Sequence, residues 1–249
     1  MLVSFTQTYG SGRDELFHIY FRDKRLIELK NLCDLNIYSF HNCEQSTIDK
    51  FKELSNGSVK NLVILEYNDM SYTETIRRSK EYLKEVGCTH LFFSQDDTFI
   101  AIENKDIDWK ELVDYVKTHE SGFMLNLYNR IDVLMLDGEV WKGEVDKQNT
   151  FNVYKSTTKD FYESDKTPWP MDDSPYMCTI DLIDEIYDDE YFKHENIWDA
   201  EKYLKFKYSE REIDRYVTDK KMLQNYNLYG ITTYMDIVFR KILIQNGLL

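Results

Sequence analysis

The first hundred residues alternate short, nearly unbroken apolar runs with stretches of helical periodicity, and few folds accommodate that order. Leu2–Thr8, Leu35–Phe40, Leu62–Glu66 and Thr89–Ser94 each carry apolar residues on both parities. Strands of that kind are covered on both faces, which is the situation of parallel strands in an α/β sheet. A helical stretch from about Asp14 places Leu16, Tyr20 and Ile27 roughly on one face. A second helix opens at Ser46, with Asp49 three residues on and Ile48 and Phe51 turned inward. The third is marked most clearly: Ser71 and Glu74 form a capping box, Tyr72, Ile76, Leu83 and Val86 follow helical spacing, and Gly87 stands where a C′ glycine belongs.

The order β-α-β-α-β-α-β predicts a Rossmann-like, mostly parallel central sheet flanked by helices. Beyond it, Asp108 with Glu111 opens a further helix through Trp109, Leu112, Val113 and Val116, and Phe123–Leu127 reads as a strand. Val133–Trp141 and Phe151–Lys155 resemble a hairpin pair around the turn at Asp137-Gly138. From Thr157 to Pro175 the pattern is irregular and polar, as suits a loop over a site. Ile180–Leu249 has charged helical patterns, with Cys178–Ile183 strand-like at its start. No repeat or linker divides the 249 residues, so a single domain is expected, with a helical C-terminal part.

Charge and cysteines narrow the function. With 31 basic and 45 acidic residues the net charge is −14, a sign that repels nucleic-acid phosphates and anionic lipid. A nucleotide ligand stays possible, because a divalent cation can screen a diphosphate locally. Cys33, Cys43, Cys88 and Cys178 form no C-x-x-C pair, so neither a zinc site nor a disulfide framework is expected. No apolar run approaches the roughly 20 residues that span a bilayer. The expectation is a soluble, cytoplasmic protein with reduced thiols and no nucleic-acid partner. The 19 Tyr and 14 Phe suit a core first, and sugar-stacking platforms second.

The chemistry gathers at His90-Leu91-Phe92-Phe93-Ser94-Gln95-Asp96-Asp97, where an apolar strand ends in two adjacent carboxylates. In open α/β sheets ligands bind beyond the carboxyl ends of the strands. Hard oxygen ligands are what Mg²⁺ or Mn²⁺ requires, with substrate phosphates and water completing the shell.

This segment resembles the metal-binding DxD segment of GT-A glycosyltransferases, and the order of elements is similar over roughly the first 130 residues. Gln95 stands where the first aspartate of the usual triplet would be. The resemblance implies a glycosyltransferase that moves a sugar from a UDP- or GDP-sugar to a carbohydrate hydroxyl with Mn²⁺ or Mg²⁺. Residues 1–130 would hold the nucleotide sugar and 131–249 the acceptor. Asp97 would be the first metal ligand. Asp96 would be a second ligand or a contact to the sugar or ribose, and His194 could complete the shell. Thr6-Gln7-Thr8-Tyr9 would line the nucleotide pocket, with Tyr9 stacking on the base, and Asn68 with Asp69 would hydrogen-bond it. Arg77, Arg78 and Arg13 are candidates for the diphosphate.

An inverting transfer needs a carboxylate base near the acceptor hydroxyl. Asn196-Ile197-Trp198-Asp199-Ala200-Glu201 resembles the segment that supplies it, with Asp199 first and Glu201 second. Asp181, Asp172 and Asp173 are rivals, and Trp169 could be an acceptor platform. Two other readings compete: a sugar-phosphate nucleotidyltransferase, of whose glycine-rich basic loop Tyr9-Gly10-Ser11-Gly12-Arg13 is a faint echo, and a non-catalytic carbohydrate-binding protein, which Gln95 favours.

Overall fold

The computed structural model describes residues 1–10, 13–100, 106–127, 145–157, 175–196, 199–200, 202–204, 207, 214–219, 222–225 and 244. Its first part follows the alternation in the sequence: β1 (Leu2–Tyr9), α1 (Asp14–Tyr20), α2 (Lys24–Asn31), β2 (Leu35–His41), α3 (Gln45–Ser55), β3 (Leu62–Tyr67), α4 (Tyr72–Glu85) and β4 (His90–Gln95). Next come β5 (Thr98–Ile100), α5 (Trp109–Lys117), β6 (Met124–Asn126), β7 (Val145–Lys147), β8 (Asn152–Thr157), β9 (Tyr176–Thr179), α6 (Ile180–Ile186), a 3-10 turn at Tyr191–Lys193, β10 (Asp214–Thr218) and β11 (Leu223–Asn225).

Nine strands form one sheet in the order β3-β2-β1-β4-β9-β6-β10-β8-β7, while β5 and β11 pair separately. Neighbouring β3, β2, β1 and β4 are all parallel, and within the sheet only β9 and β8 run against the rest. This is the expected mixed α/β architecture with a large, mostly parallel sheet. The chain steps outward from β1 to β3 and returns to place β4 on the other side of β1. The carboxyl ends of β1 and β4 therefore flank the switch point where such sheets hold ligands.

Alternation along the strands sorts the core into two layers. Leu2, Tyr38, Phe40 and Phe92 pack with α1, α2, α3 and α5, whereas Val3, Phe5, Ile37 and Leu91 pack with α4, α6, Tyr191, Ala200 and Leu204. Most aromatic side chains of the first layer are filling: fully buried Phe51 meets the rings of Phe17, Phe21, Tyr38 and Phe40. Truncating such a side chain costs about 3–5 kcal/mol.

Local signals explain several boundaries. The Ser71 hydroxyl accepts from the Glu74 N–H, and Gly87 takes φ +74° just past α4. The Asp108 carboxylate accepts from the N–H groups of Lys110 and Glu111. Other boundaries depart from the sequence reading. The stretch from Asp14 is two helices, because the Asp23 carboxylate accepts from the Leu26 N–H and starts a new one. The third helix begins at Gln45 without a side-chain cap, so Ser46 and Asp49 do not form its entry. Cys178–Ile183 is strand only to Thr179, and helix from Ile180. The partner of β8 is Val145–Lys147; Val133–Trp141 and Asp137-Gly138 lie outside the described residues, as do Trp169, Asp172 and Asp173. The last third is not helical throughout, since β10 and β11 fall within it. Among the described residues no helix is long and apolar enough to cross a membrane.

Candidate functional site

The turn after β4 is held from three directions. The Asp96 N–H donates to the Gln7 carbonyl at 3.1 Å, extending the β1–β4 ladder by one bond. The Gln95 N–H donates to the Thr98 hydroxyl, which closes the turn. The Asp23 carboxylate, besides starting α2, accepts from the Ile100 N–H at 3.2 Å and so fastens β5. Asp96 and Asp97 are consequently 2% and 1% exposed, so the solvated turn expected of two adjacent aspartates does not describe them.

Arg13 reaches the pair from the start of α1. Its Nε donates to the Tyr9 carbonyl at 3.2 Å and lies 3.6 Å from Asp96 Oδ2. No donor among the described residues makes a well-formed hydrogen bond to either oxygen of Asp96. Burial pushes its carboxyl up to about 7; the Arg13 guanidinium opposes that rise, Asp97 adds to it, and the nearby Thr8 hydroxyl lowers it again. A carboxylate removed from water without matching donors is costly and calls for positive charge. That requirement fits a divalent cation held by Asp96 and Asp97, with phosphate and water supplying the remaining positions. Among the described residues no group of three or more His, Cys, Asp or Glu is placed to hold a metal, so His194 does not complete a shell with the two aspartates.

The other side of β1 carries a different chemistry. Tyr9 stacks on Tyr72 at 5.9 Å and meets His41 edge-on at 5.2 Å, and its hydroxyl donates to Gln7 Oε1 at 3.0 Å. Gln7 is 2% exposed, and its Nε2 has no hydrogen-bond partner among the described residues. Thr6 belongs to the buried layer below the site, hydrogen-bonded to Ser94, rather than to the rim. Asn68 is exposed at the end of β3, beside Asp69, whose N–H donates to Asn42 Oδ1.

Four other expected participants have structural partners. Arg77 is clamped by Glu74 and Glu81, and Arg78 by Glu74, all on α4 itself. Asp181 accepts from the Gly122 N–H at the far end of β9, where Thr179 pairs with His90 at the start of β4. The switch point lies at the opposite end of β4, so Asp181 is corrected from base candidate to loop anchor. Asp199 is exposed and shares a reciprocal cap with Asn196, whose Nδ2 donates to Asp199 Oδ2 and whose Oδ1 accepts from the Asp199 N–H. The segment before that cap is tied to the head of α4, where the Thr73 hydroxyl donates to the His194 carbonyl at 2.8 Å. Glu201 is outside the described residues.

His41 and Tyr72 were not singled out as site residues from sequence. Their signal appears only once β1, β2 and α4 are known to converge, because singly they are ordinary strand-end and helix-start residues.

No family model matches the chain, and no curated protein matches it in sequence. Its fold is similar to that of the 4-diphosphocytidyl-2C-methyl-D-erythritol synthase of Anaerococcus prevotii DSM 20548, with a TM-score of 0.53 at 11% identity over 98% of each chain. HddC from Yersinia pseudotuberculosis gives 0.51 at 12% identity over 97% of this chain and 100% of that one. TarS 1-349 from S. aureus gives 0.52 at 13% identity over 98% and 64%. At these identities the likeness establishes the fold alone, a mixed α/β architecture with a large, mostly parallel sheet flanked by helices.

Proposed function

We propose that the chain is a nucleotide-sugar-dependent glycosyltransferase, moving a sugar from a UDP- or GDP-sugar to a hydroxyl of a carbohydrate acceptor. The observation that carries this is the buried, poorly compensated Asp96 carboxylate beside Asp97 at the β1–β4 switch point. Asp97 and Asp96 would hold Mn²⁺ or Mg²⁺, whose chemistry when bound is to offset charge on the departing diphosphate. Tyr9 and Asn68 would form the rim on which the nucleotide lies, with the fully buried Thr8 beneath it, and Arg13 adds a fixed positive charge beside Asp96. In the transfer, the bond from the anomeric carbon to the diphosphate oxygen breaks and a bond to the acceptor oxygen forms. The acceptor proton passes to a carboxylate, for which Asp199 and then Glu201 are the candidates, and inversion is favoured.

One observation favours a second reading, a sugar-phosphate nucleotidyltransferase. Arg13 stands four residues beyond the end of β1, with its Nε 3.6 Å from Asp96 Oδ2, where a phosphate-binding basic residue would serve. The similarity over the whole length of a diphosphocytidyl-product synthase is in keeping with it.

A thermal-shift screen of UDP, GDP and CDP, with and without Mn²⁺, tests both. Stabilisation by a nucleotide only with metal is expected, and no shift with any nucleotide overturns both readings. Products then separate them: a transferase releases nucleoside diphosphate from a nucleotide sugar, whereas a nucleotidyltransferase releases pyrophosphate from a nucleoside triphosphate and a sugar phosphate.

A further inference from the structure

Beneath the acidic turn lies a charge that the proposed chemistry does not use. Lys30, on α2, is 0% exposed, and its Nζ donates at 2.8 Å to each of three hydroxyls: Ser4 and Thr6 of β1 and Ser94 of β4. Thr6 and Ser94 are partners in the strand register, and their hydroxyls stand 3.1 Å apart, closing the ring. The rings of Phe92 and Tyr38 lie 4.3 Å and 5.9 Å from the nitrogen. Among the described residues no carboxylate pairs with it, and burial lowers the amine to about 7. Each hydroxyl can accept or donate, so the cage satisfies the nitrogen whether or not it is protonated.

We propose that Lys30 is a positioning residue: it ties the carboxyl-terminal half of β1 to that of β4 and thereby sets the place of the Asp96–Asp97 turn. One two-residue step beyond Thr6 and Ser94, about 6.6 Å along the strands, the same face reaches Thr8 and Asp96. There the ladder ends in the single bond from the Asp96 N–H to the Gln7 carbonyl. An apolar side chain of similar volume would fill this space without desolvating an amine. What the amine adds is direction, because its three bonds hold only when both strands keep their spacing.

Hydrogen exchange read by mass spectrometry tests this in Lys30→Met and in Ser94→Ala, which removes only the β4 side of the tie. Peptides covering 93–98 are expected to exchange at least tenfold faster in Lys30→Met and about threefold faster in Ser94→Ala. Peptides of β2 and β3 should be unchanged, and the melting midpoint of Lys30→Met no lower than wild type. Exchange over 93–98 within twofold of wild type, or acceleration spread evenly over the chain, overturns the proposal; should Lys30→Met not fold, Ser94→Ala decides alone. The link to function rests on the site proposed above, and predicts at least tenfold weaker Mn²⁺-dependent UDP binding in Lys30→Met. Wild-type protein that binds no nucleotide with Mn²⁺ overturns the site and leaves the exchange result to decide the role of Lys30.

Discussion

Two carboxylates in this protein have been moved in opposite directions, and the contrast separates architecture from function. Asp188, in the layer behind α4, accepts from the Tyr191 N–H, from the Tyr203 hydroxyl with both oxygens, and from Lys207. Its partial burial pushes the carboxyl up, but Lys207 and the other donors outweigh that and bring it to about 2. Asp96 is far more buried and lacks well-formed donors, and it rises to about 7. A charge whose partners are all internal fastens the fold. A charge buried without them marks a candidate site for something that arrives from outside.

The comparison can be broken most decisively at Asp96. Its folded-state value lies above its ordinary value of 3.8, so the protonated form favours folding. That stability is fully present at low pH and is lost as pH rises from about 4 through 7. Asn at this position should abolish the pH-dependent loss and stabilise the metal-free protein by about 2–4 kcal/mol at pH 8, by the ~1.4 kcal/mol per pKa unit of linkage. The same variant should lose the metal-dependent nucleotide shift. Denaturant titrations at pH 4 and 8 decide it; a wild type equally stable at both would remove the basis for calling the site strained.

Asp188→Asn should have the opposite sign and a smaller size. Its depressed value gives stability that is present above about pH 4 and lost as pH falls toward 2. Because the carboxylate is about a third exposed, solvent screening limits the expected loss at pH 7 to about 1 kcal/mol. The difference from wild type should shrink in melts at pH 3. A variant as stable as wild type at pH 7 would show the hydrogen bonds to be incidental.

The smallest effect is expected at Asp199, where the reciprocal cap with Asn196 is exposed. Ala there should cost roughly 0.5 kcal/mol of stability, the lower end of capping contributions. A turnover assay sharpens the contrast: a 10²-fold or larger fall in rate with so small a stability loss would assign Asp199 as the base. Unchanged turnover would leave it a cap only.

These carboxylates also show where the sequence was readable. The alternation up to β4, the Ser71 cap and the Asp108 cap rest on local rules that neighbouring residues satisfy among themselves. The Asp96–Asp97 turn was legible because an apolar run ending in two acids is a local pattern. The roles of Asp181 and Asp199 were not, because they depend on which end of a strand faces which. β9 enters between β4 and β6 against the direction of both, so a residue just past its end sits on the rim opposite the site. Lys30 was unreadable for a similar reason. In Lys-Arg-Leu-Ile-Glu-Leu-Lys-Asn a lysine looks like solvent face, and only the register of β1 with β4 sets three hydroxyls beneath it.

The alternation at the end of β1 has a consequence for how such a site can change over time. Thr8 faces the side of Asp96 and Arg13, while Gln7 and Tyr9 face Tyr72 and His41. The charged and the aromatic compartments are thus separated by one strand's backbone. Substitutions at Tyr72 or His41 would reshape the aromatic side without altering the charge on the other. The two sides of this strand end can therefore vary independently in sequence.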